Sequence, residues 1–445
     1  MSLEQAFIDY IKDREATING QGSTDWHQRR RTAFTDFEKL GFPAKKNEEY
    51  RYTPISRALE REFGESVTLE SPVDSTSVQE LLDEIIPSDV DAHVLVFVNG
   101  KFQSTLSSSK TLPDGVIVTT LSEAYQTHTD LISQYFAQQT AEPTDSFVAL
   151  NTAIAQEGLF VYAPKNVVVE TPILAYFISD TSSGTSVATP RNLYIAEKSS
   201  KVSVVESFHT VGEKASYQNA VSEIWVDANA SLHYTKLQPE SKQAYHTGTT
   251  EVYQARDSRF TGVTISLQGA MLRNNLNIAL DDENCESHMY GLYMLDGKSH
   301  VDNHTAVDHR KPNSFSNELY KGIMDDQSKG VFNGKIYVRQ DAQKSNAFQS
   351  NANILLTDEA SIDTKPQLEI WADDVKCSHG ATTGQIDKEQ LFYLRTRGMS
   401  RDQATAILLR AFAGDVLENI ELDFIREQVE NVIDQRLISN FLLNN

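Results

Sequence analysis

The spacing of hydrophobic and polar residues changes twice along the chain. In residues 1–150 most apolar positions recur at helical intervals. The exceptions are two short apolar runs of strand character, residues 93–97 and 116–120, and Asn99-Gly100 between them is a hairpin signal. We therefore predict an N-terminal region that is mostly helical and contains a small β-hairpin.

From about Leu159 to Thr382 the pattern is different. Short β-branched or aromatic runs alternate with small polar turns, and helical periodicity is absent. The turns resemble one another and recur roughly every 27 to 30 residues, at residues 197–202, 227–232, 255–260 and 282–285, with a later copy at 357–362. A β-sandwich would have less similar and more glycine-rich turns. We therefore predict a mainly β fold, with the stacked coils of a parallel β-helix over residues 151–385.

Residues 386–445 are predicted to form a C-terminal helical domain. Asp387 with Gln390, and Ser400 with Gln403, have the spacing of helix capping boxes. The second helix then carries an apolar stripe at Ala404, Ile407, Leu408, Ala411 and Phe412. Such a stripe either packs against the end of the β-helix, which a solenoid needs to have covered, or forms a docking face for a partner protein. The sequence leaves both interpretations open.

Composition narrows the class of protein. The chain has 445 residues, 23% of them charged, and a net charge of −22. This charge argues against binding to nucleic acid or to an anionic membrane surface, because both need a cationic face. The N-terminus has no secretory signal pattern, no apolar run approaches the length of a membrane span, and only two cysteines are present. These features predict a cytoplasmic protein in a reducing compartment.

The strongest chemical signal is the sequence Cys377-Ser378-His379. On a strand, residues two apart point to the same face, so a thiolate and an imidazole could reach one metal ion, sulfur species or partner ligand. The alternative is a small buried cysteine beside a hydrogen-bonded core histidine. The sequence does not decide the face, because a one-residue shift at Asp373-Asp374 would turn Val375, Cys377 and His379 inward.

The cysteine count limits any iron–sulfur chemistry. An all-cysteine cluster site takes about four thiolates, and this chain has only Cys285 and Cys377. A cluster bound here would therefore need ligands from a second chain, or from histidine or carboxylate side chains.

Other motifs are weaker. Gly297-Lys298-Ser299 lacks the upstream glycine and the strand-to-helix context of a phosphate loop, so no nucleotide site is predicted in this chain. His300, Asp302 and His304 share strand parity and could bind a metal at the surface, but we interpret the histidines as solvent-facing or turn-stabilising. Paired carboxylates, which glycoside hydrolysis requires, fall where turns are expected, at residues 281–283, 325–326 and 373–374.

Several longer motifs carry a family resemblance. The strongest is the stretch from residue 351 to 383, which contains Lys365-Pro366-Gln367-Leu368-Glu369-Ile370 and Cys377-Ser378-His379-Gly380-Ala381-Thr382. Together with residues 41–53, 302–309, 318–322 and Gly398-Met399-Ser400, it resembles the SufD subunits of the SUF iron–sulfur cluster assembly system. The resemblance covers nearly the whole chain. It implies a right-handed parallel β-helix between helical N- and C-terminal regions.

The resemblance also implies a function. Proteins of this kind pair with a SufB-like paralogue and bind a SufC-like ATPase, and a transient iron–sulfur cluster is thought to form at the interface between the paralogues. In this sequence His379 would be the candidate ligand, with Cys377 as a lesser one. The ATPase would dock on the C-terminal domain, where we place Met399, Ala404, Ile407, Leu408, Ala411 and Phe412. A reduced flavin is associated with such complexes, but no residue here can be assigned to it.

Three alternatives stay open at this point. The chain could itself be SufB-like, although Ser378-His379-Gly380 lacks the glutamates that usually flank this histidine in SufB proteins. It could be a carbohydrate-active enzyme built on a β-helix. It could also be a homodimeric binding module when its partner is absent. The preferred expectation is a non-catalytic scaffold subunit that receives sulfur indirectly from a donor system.

Overall fold

The computed structural model describes residues 2–18, 22, 24–44, 46–64, 73–138, 145–155 and 157–441. Seven α-helices precede the main β region in this part of the chain: α1 (Leu3–Ile18), α2 (Asp25–Leu40), α3 (Ile55–Phe63), α4 (Ser75–Ile85), α5 (Leu121–Thr127), α6 (Thr129–Tyr135) and α7 (Ser146–Ile154). Three follow it: α8 (Lys388–Thr396), α9 (Arg401–Leu417) and α10 (Asp423–Phe441).

The strands form two facing sheets. Sheet A contains β1 (His93–Val98), β2 (Lys101–Phe102), β5 (Ile173–Asp180), β8 (Lys201–Val211), β10 (Ser231–Pro239), β12 (Arg259–Gln268), β14 (Glu286–Leu295), β16 (Phe315–Met324), β18 (Asn346–Leu355) and β20 (Lys376–Gly384). Sheet B contains β3 (Ile117–Thr120), β4 (Leu159–Ala163), β6 (Ser186–Ala188), β7 (Arg191–Ala196), β9 (Ser216–Val226), β11 (Ala244–Gln254), β13 (Met271–Leu280), β15 (His300–His309), β17 (Lys329–Val338) and β19 (Ser361–Ile370).

The chain alternates between the two sheets, so each coil of the fold contributes one strand to each sheet. Apart from β1–β2 and β3–β4, the strand pairings are parallel. Each strand pairs with the strand one coil later; Met271, for example, lies beside His300, and His300 beside Lys329. The interior between the sheets is filled by apolar side chains such as Val202, Phe260 and Phe332. This arrangement confirms the predicted mainly β fold with a parallel β-helix.

The recurring polar turns stack on one corner of the β-helix. Ser199, Asn229, Asp257 and Asn284 all have φ between 57° and 60°, a left-handed conformation that Asn and Asp tolerate better than most residues. Successive turns are joined by side-chain hydrogen bonds, from Asn229 Nδ2 to Ser199 Oγ (3.0 Å) and from Asn284 Nδ2 to Asp257 Oδ1 (2.7 Å). The turn at 357–362 was predicted to belong to this series, but it joins β18 to β19 at the opposite corner.

The predicted hairpin pairs different residues from those expected. The Asn99-Gly100 turn joins β1 to the two-residue strand β2, and Phe97 lies opposite Phe102. Residues 117–120 instead form β3 at the edge of sheet B. The hairpin is short, and β1 pairs along its whole length with β5 on its other edge, in parallel register.

The C-terminal helices lie on the outer face of sheet A. Leu409 and Ala413 of α9, and Ile433 of α10, pack against outward side chains of sheet A such as Val263 and Leu292. Arg436 also donates a hydrogen bond to the carbonyl of Met294 (2.7 Å). The interpretation in which the apolar stripe packs against the end of the β-helix is therefore wrong. Strands β19 and β20 are the outermost strands of their sheets, and we call the end that they form the open end.

Candidate functional site

The open end exposes the last strand of each sheet. Strand β20 pairs with β18 on one side and has no strand on its other side within the described residues. All its residues except Cys377 are exposed, and Ile370 and Trp371, which end β19 and begin the last corner, are 40% and 49% exposed. A long unpaired edge with exposed apolar side chains is a ready template for another strand. This end therefore has the features of a protein interface.

Cys377 and His379 lie on the inward-facing side of β20. In the register of sheet A, Cys377 is next to Ala347 and His379 is next to Gln349, and Ala347 and Gln349 are both buried. The one-residue shift considered from the sequence is therefore present at the last corner. Asp374 stacks there on the preceding turn, and its N–H donates to Gln343 Oε1 (2.9 Å).

The two candidate ligands differ in their surroundings. Cys377 is half-buried, and it packs against a small apolar cluster that contains Ile336, Ala347 and Ala372. Burial raises the pKa of its thiol, so Cys377 is a weaker nucleophile and metal ligand in the isolated chain. His379 is exposed, because no further coil follows β20 within the described part of the chain to cover an inward-facing side chain at this level. The imidazole is thus accessible, whereas the thiol is partly shielded.

A network of buried polar side chains supports β20 from inside. Asn353 donates to the carbonyl of Thr382 on β20 (3.4 Å) and to Asn351 Oδ1 (2.7 Å). The hydroxyl of Tyr293 donates to Asn353 Oδ1 (2.5 Å), and that of Thr364 on sheet B donates to Asn351 Oδ1 (3.0 Å). The network links four strands across the interior, and it holds the strand that carries His379. Sequence reasoning missed these residues; their polar character at inward positions of β18 was the available signal.

The second cysteine takes no part in this site. Cys285 is 1% exposed at the corner between β13 and β14, and its Sγ lies 3.2 Å from the carbonyl oxygens of Ala255 and Asp282. Burial raises the pKa of this thiol as well. Within the described residues, no group of three or more His, Cys, Asp or Glu side chains is arranged to hold a metal ion.

The histidines near Asp302 have a different role from the one expected. Asp302 is 1% exposed and pairs with Arg273 (2.6 Å), and His304 Nε2 lies 3.1 Å from its other oxygen. His300 contacts Thr53 Oγ1 (2.9 Å), and His304 lies beside Glu49. These groups dock the N-terminal segment on the outer face of sheet B. The interpretation of His300 and His304 as solvent-facing or turn-stabilising residues is therefore wrong. The Arg273 guanidinium and His304 lower the pKa of Asp302 in spite of its burial.

The carboxylate pairs considered for glycoside hydrolysis lie in turns. Asp281 pairs with Arg310 (2.5 Å), and Glu283 pairs with Arg256 (3.1 Å). Gly297 likewise lies in the turn between β14 and β15, so the segment after it is a strand and not the helix of a phosphate loop.

Helix α9 has the predicted capping box at Ser400 and Gln403, but its packing face differs from the predicted stripe. The face of α9 towards sheet A consists of its buried residues, which are Ala404, Thr405, Leu409, Ala413, Val416 and Leu417. This face is rotated by about a third of a turn from the predicted one. Ala404 therefore belongs to the packing face and is not available for docking.

The rest of the stripe remains accessible. Ile407 is 44% exposed, Ala411 is exposed, and Leu408, Phe412 and Met399 are half-buried. Helix α9 is thus apolar on two faces, of which sheet A covers one. Phe392 and Tyr393 of the neighbouring α8 are 69% and 57% exposed, which enlarges the apolar surface beyond what single exposed residues would give.

No helix in the described ranges has both the length and the apolar composition that crossing a lipid bilayer would take.

The sequence matches two family models: the SufBD core domain of SUF system FeS cluster assembly over residues 177–412, and the SufBD protein N-terminal region over residues 1–174.

Full-length relatives agree with these matches. An iron–sulfur cluster assembly SufBD family protein of Synechocystis sp. is 30% identical over 445 residues, which span 98% of this chain and 94% of the relative. SufD of Escherichia coli is 32% identical over 402 residues, 90% of each chain. SufD of Bacillus subtilis is 28% identical over 375 residues, 81% of this chain and 84% of the relative.

Proposed function

Because this chain belongs to the SufBD family of SUF-system iron–sulfur cluster assembly proteins, we propose that it is a non-catalytic scaffold subunit whose open end completes a cluster-forming interface with a second chain. The observation that carries the proposal is the placement of His379: an exposed imidazole on the inward side of the end strand β20, whose outer edge pairs with no strand of the described residues. A partner that adds its own strands to β19 and β20 would enclose this imidazole.

The partner that fits is a paralogue of the same fold, a SufB-like subunit. Its end strands would continue both sheets and would meet the edge of β20 at the right spacing. In this arrangement His379 supplies one ligand, Cys377 is a secondary ligand, and the partner supplies the remaining groups. Iron and sulfide are the substrates of this assembly, and the sulfur donor acts through the partner.

The imidazole ligates metal through a ring nitrogen that carries no proton. Cys377 faces a higher barrier, because burial favours its thiol form. Partner binding would decide whether this thiol becomes a ligand, since a cationic or metal-bearing partner surface lowers the pKa of a thiol.

We further propose that the accessible side of α9 binds a SufC-like ATPase. The docking residues are Ile407, Leu408 and Ala411, with Met399 and Phe412 at the margin. Lys321 supports this side of the helix by donating to the carbonyl of Phe412 (2.9 Å). The ATPase activity would reside in that partner. We retain residues 1–150, 151–385 and 386–445 as the proposed domains and expect the complex to assemble in the cytoplasm, where two unpaired cysteines remain reduced.

A flavin site is not part of the proposal. A cleft of about 560 Å³ on the outer face of sheet B is lined by ion-paired side chains such as Glu49, Lys335 and Asp308. These residues do not form the flat apolar slot that an isoalloxazine ring occupies, and no step is derived through a flavin.

Co-purification with the cognate SufB-like and SufC-like proteins tests the proposed complex, and reconstitution on that complex tests the ligand. We expect His379→Ala to retain both partners but to lose iron and sulfide loading. Ser378→Ala, at the adjacent exposed position on the opposite face of β20, is the matched control and should load normally. Normal loading in His379→Ala would remove the ligand role, and failure to bind either partner would remove the scaffold role.

Three alternatives would give different outcomes. A stable dimer of the isolated chain that the paralogue does not dissociate would favour a homodimeric module. Sulfur transfer to Cys285 would favour a SufB-like role, which its burial within a corner argues against. Polysaccharide turnover by the isolated chain would favour a carbohydrate-active enzyme.

A further inference from the structure

A column of inward-facing polar residues leads from the interior of the β-helix to His379. Glu318 on β16 pairs in register with Gln349 on β18, and Gln349 pairs with His379 on β20. Neighbouring strands in a sheet lie about 4.8 Å apart, so side chains at paired positions on one face are in reach of each other. Gln349 is therefore the residue directly behind the candidate ligand.

The amide of Gln349 is held in one orientation. Its Nε2 donates to Glu318 Oε2 at 2.7 Å, on the side of the column away from β20. Gln349 is only 3% exposed, so water hardly reaches its side chain. Its buried Oε1 nevertheless has no hydrogen-bond partner among the described residues. Since the nitrogen is bound on the β16 side, the oxygen is turned from β16 and is available to a donor on β20.

Glu318 is suited to hold the amide in this way. It is 1% exposed and has no ion-pair partner among the described residues. Burial raises its pKa to about 7, and the hydrogen bond from Gln349 only partly opposes this rise. Whether the carboxyl group is neutral or ionised, Oε2 accepts from the amide. A glutamine at this position could also donate, and the Gln349 amide would then be free to reverse.

The facing sheet leaves room for this amide. Gly334 on β17 lies across the interior, and a Cβ built on it would be 2.1 Å from Gln349 Nε2. The nearest atom outside the glutamine side chain is Cζ of the Phe332 ring, 2.9 Å from the same Cβ position. Any side chain at residue 334 would therefore displace the Gln349 amide from its position.

We propose that Gln349 is a positioning residue for His379: its Oε1 accepts the N–H of one ring nitrogen, which fixes the tautomer and leaves the other nitrogen free to bind metal at the open end. Histidines that bind metal usually donate their second N–H to such an acceptor, which sets both the ring orientation and the ligating nitrogen. The metal-binding half of this statement rests on the proposed function. The proposed hydrogen bond involves only residues of this chain, so it can be tested without a partner.

The test is nitrogen NMR of the full-length chain with ¹⁵N-labelled histidine, with His379 assigned by its loss in His379→Ala. One tautomer of neutral His379 should dominate. In Gln349→Met, which keeps the volume and removes the amide, we expect the tautomer ratio to move about two- to tenfold towards that of a free imidazole, the bias expected of one ordinary hydrogen bond. Gly334→Ala should shift the ratio in the same direction without changing a polar group.

Glu318→Gln is the third variant, and it should weaken the bias because it allows both orientations of the Gln349 amide. Ser350→Ala, at an exposed position on the outward face of the same strand, is the control and should leave the ratio unchanged. Far-ultraviolet circular dichroism identifies any variant that does not fold, and the remaining variants then decide the question.

The outcomes separate this inference from the proposed function. An unchanged tautomer ratio in folded Gln349→Met and Glu318→Gln overturns the positioning role. Normal cluster loading in His379→Ala, combined with the expected tautomer shifts, overturns the ligand role but leaves the hydrogen bond in place. If both are correct, Gln349→Met should slow cluster loading on the complex, and Gln349→Glu, which retains an acceptor oxygen, should restore part of the rate.

Discussion

Replacing Ala381 by proline should block the open end without disturbing the fold. The N–H of Lys376 donates to the carbonyl of Ser345, towards β18. Backbone groups alternate sides along a strand, so the N–H of Ala381, five residues later, points away from β18 and towards the free edge. Proline removes this donor, and its fixed φ is tolerated at sheet edges.

The magnitude follows from the single donor that is lost. If a partner strand pairs with β20, proline leaves one carbonyl of that partner buried and unpaired, which costs about 1–3 kcal/mol. Since 1.4 kcal/mol corresponds to a tenfold change in affinity, the Kd for the SufB-like partner should rise about 5- to 150-fold. Steric exclusion by the ring adds to this effect. The free energy of unfolding of the isolated chain should change little, because the ladder to β18 is kept.

Fluorescence anisotropy with the labelled partner measures the change in Kd. Ala381→Val is the matched control, because it adds bulk and keeps the N–H, and we expect a change of less than about threefold for this substitution at an exposed site. An unchanged Kd in folded Ala381→Pro would mean that the partner does not pair with this edge. The proposed interface at the open end would then be wrong.

The remaining predictions concern binding by α9 and stability. Ile407→Asp should weaken binding of the SufC-like ATPase by about tenfold or more, as truncation of a central apolar contact does, while Glu418→Gln, at the exposed residue that directly follows α9, should not. Equal affinities of Ile407→Asp and the wild type, measured by calorimetry, would contradict the docking face. Arg273→Met leaves Asp302 buried without its cation and should reduce the free energy of unfolding by about 3–5 kcal/mol, as measured by denaturant titration; a change below about 1 kcal/mol would show that this pair is not structural. Burial raises the pKa of Glu251 to about 8, so its stabilising contribution is present below the unfolded pKa near 4.5 and is lost as the pH rises through 8. Glu251→Gln should therefore be more stable than the wild type at pH 8 and similar to it at pH 4. The reverse order of stabilities in thermal unfolding would refute this assignment.

The N-terminal and central motifs meet in the folded chain, and their contacts are structural. Lys335 pairs with Glu49 (2.5 Å), and Arg273 donates to the backbone carbonyl of the same residue (2.8 Å). The hydroxyl of Thr53 lies between His300 and Asp302. Residues 48–53 are thereby fastened to sheet B.

The sequence by itself determined the features that arise from neighbouring residues. Turn residues such as Asn229 and Asn284 predicted the stacked corner, because their side chains tolerate the left-handed conformation and bond to the preceding copy of the turn. Ser400 and Gln403 likewise predicted where α9 begins, since a capping box joins groups three residues apart. The spacing between the turns likewise predicted the length of one coil, because each coil of the β-helix uses that many residues.

Only the tertiary structure decided how those elements are arranged. Helix α9 is apolar on two faces, so its periodicity could not show that Leu409 packs inward and Ile407 outward. The face of His379 depended on a one-residue shift at the last corner, which is set by stacking on residues about thirty positions earlier. Exposure of His379 depended on the coil count, because an inward-facing side chain is buried only where another coil follows. These properties are long-range, and local residue patterns carry no information about them.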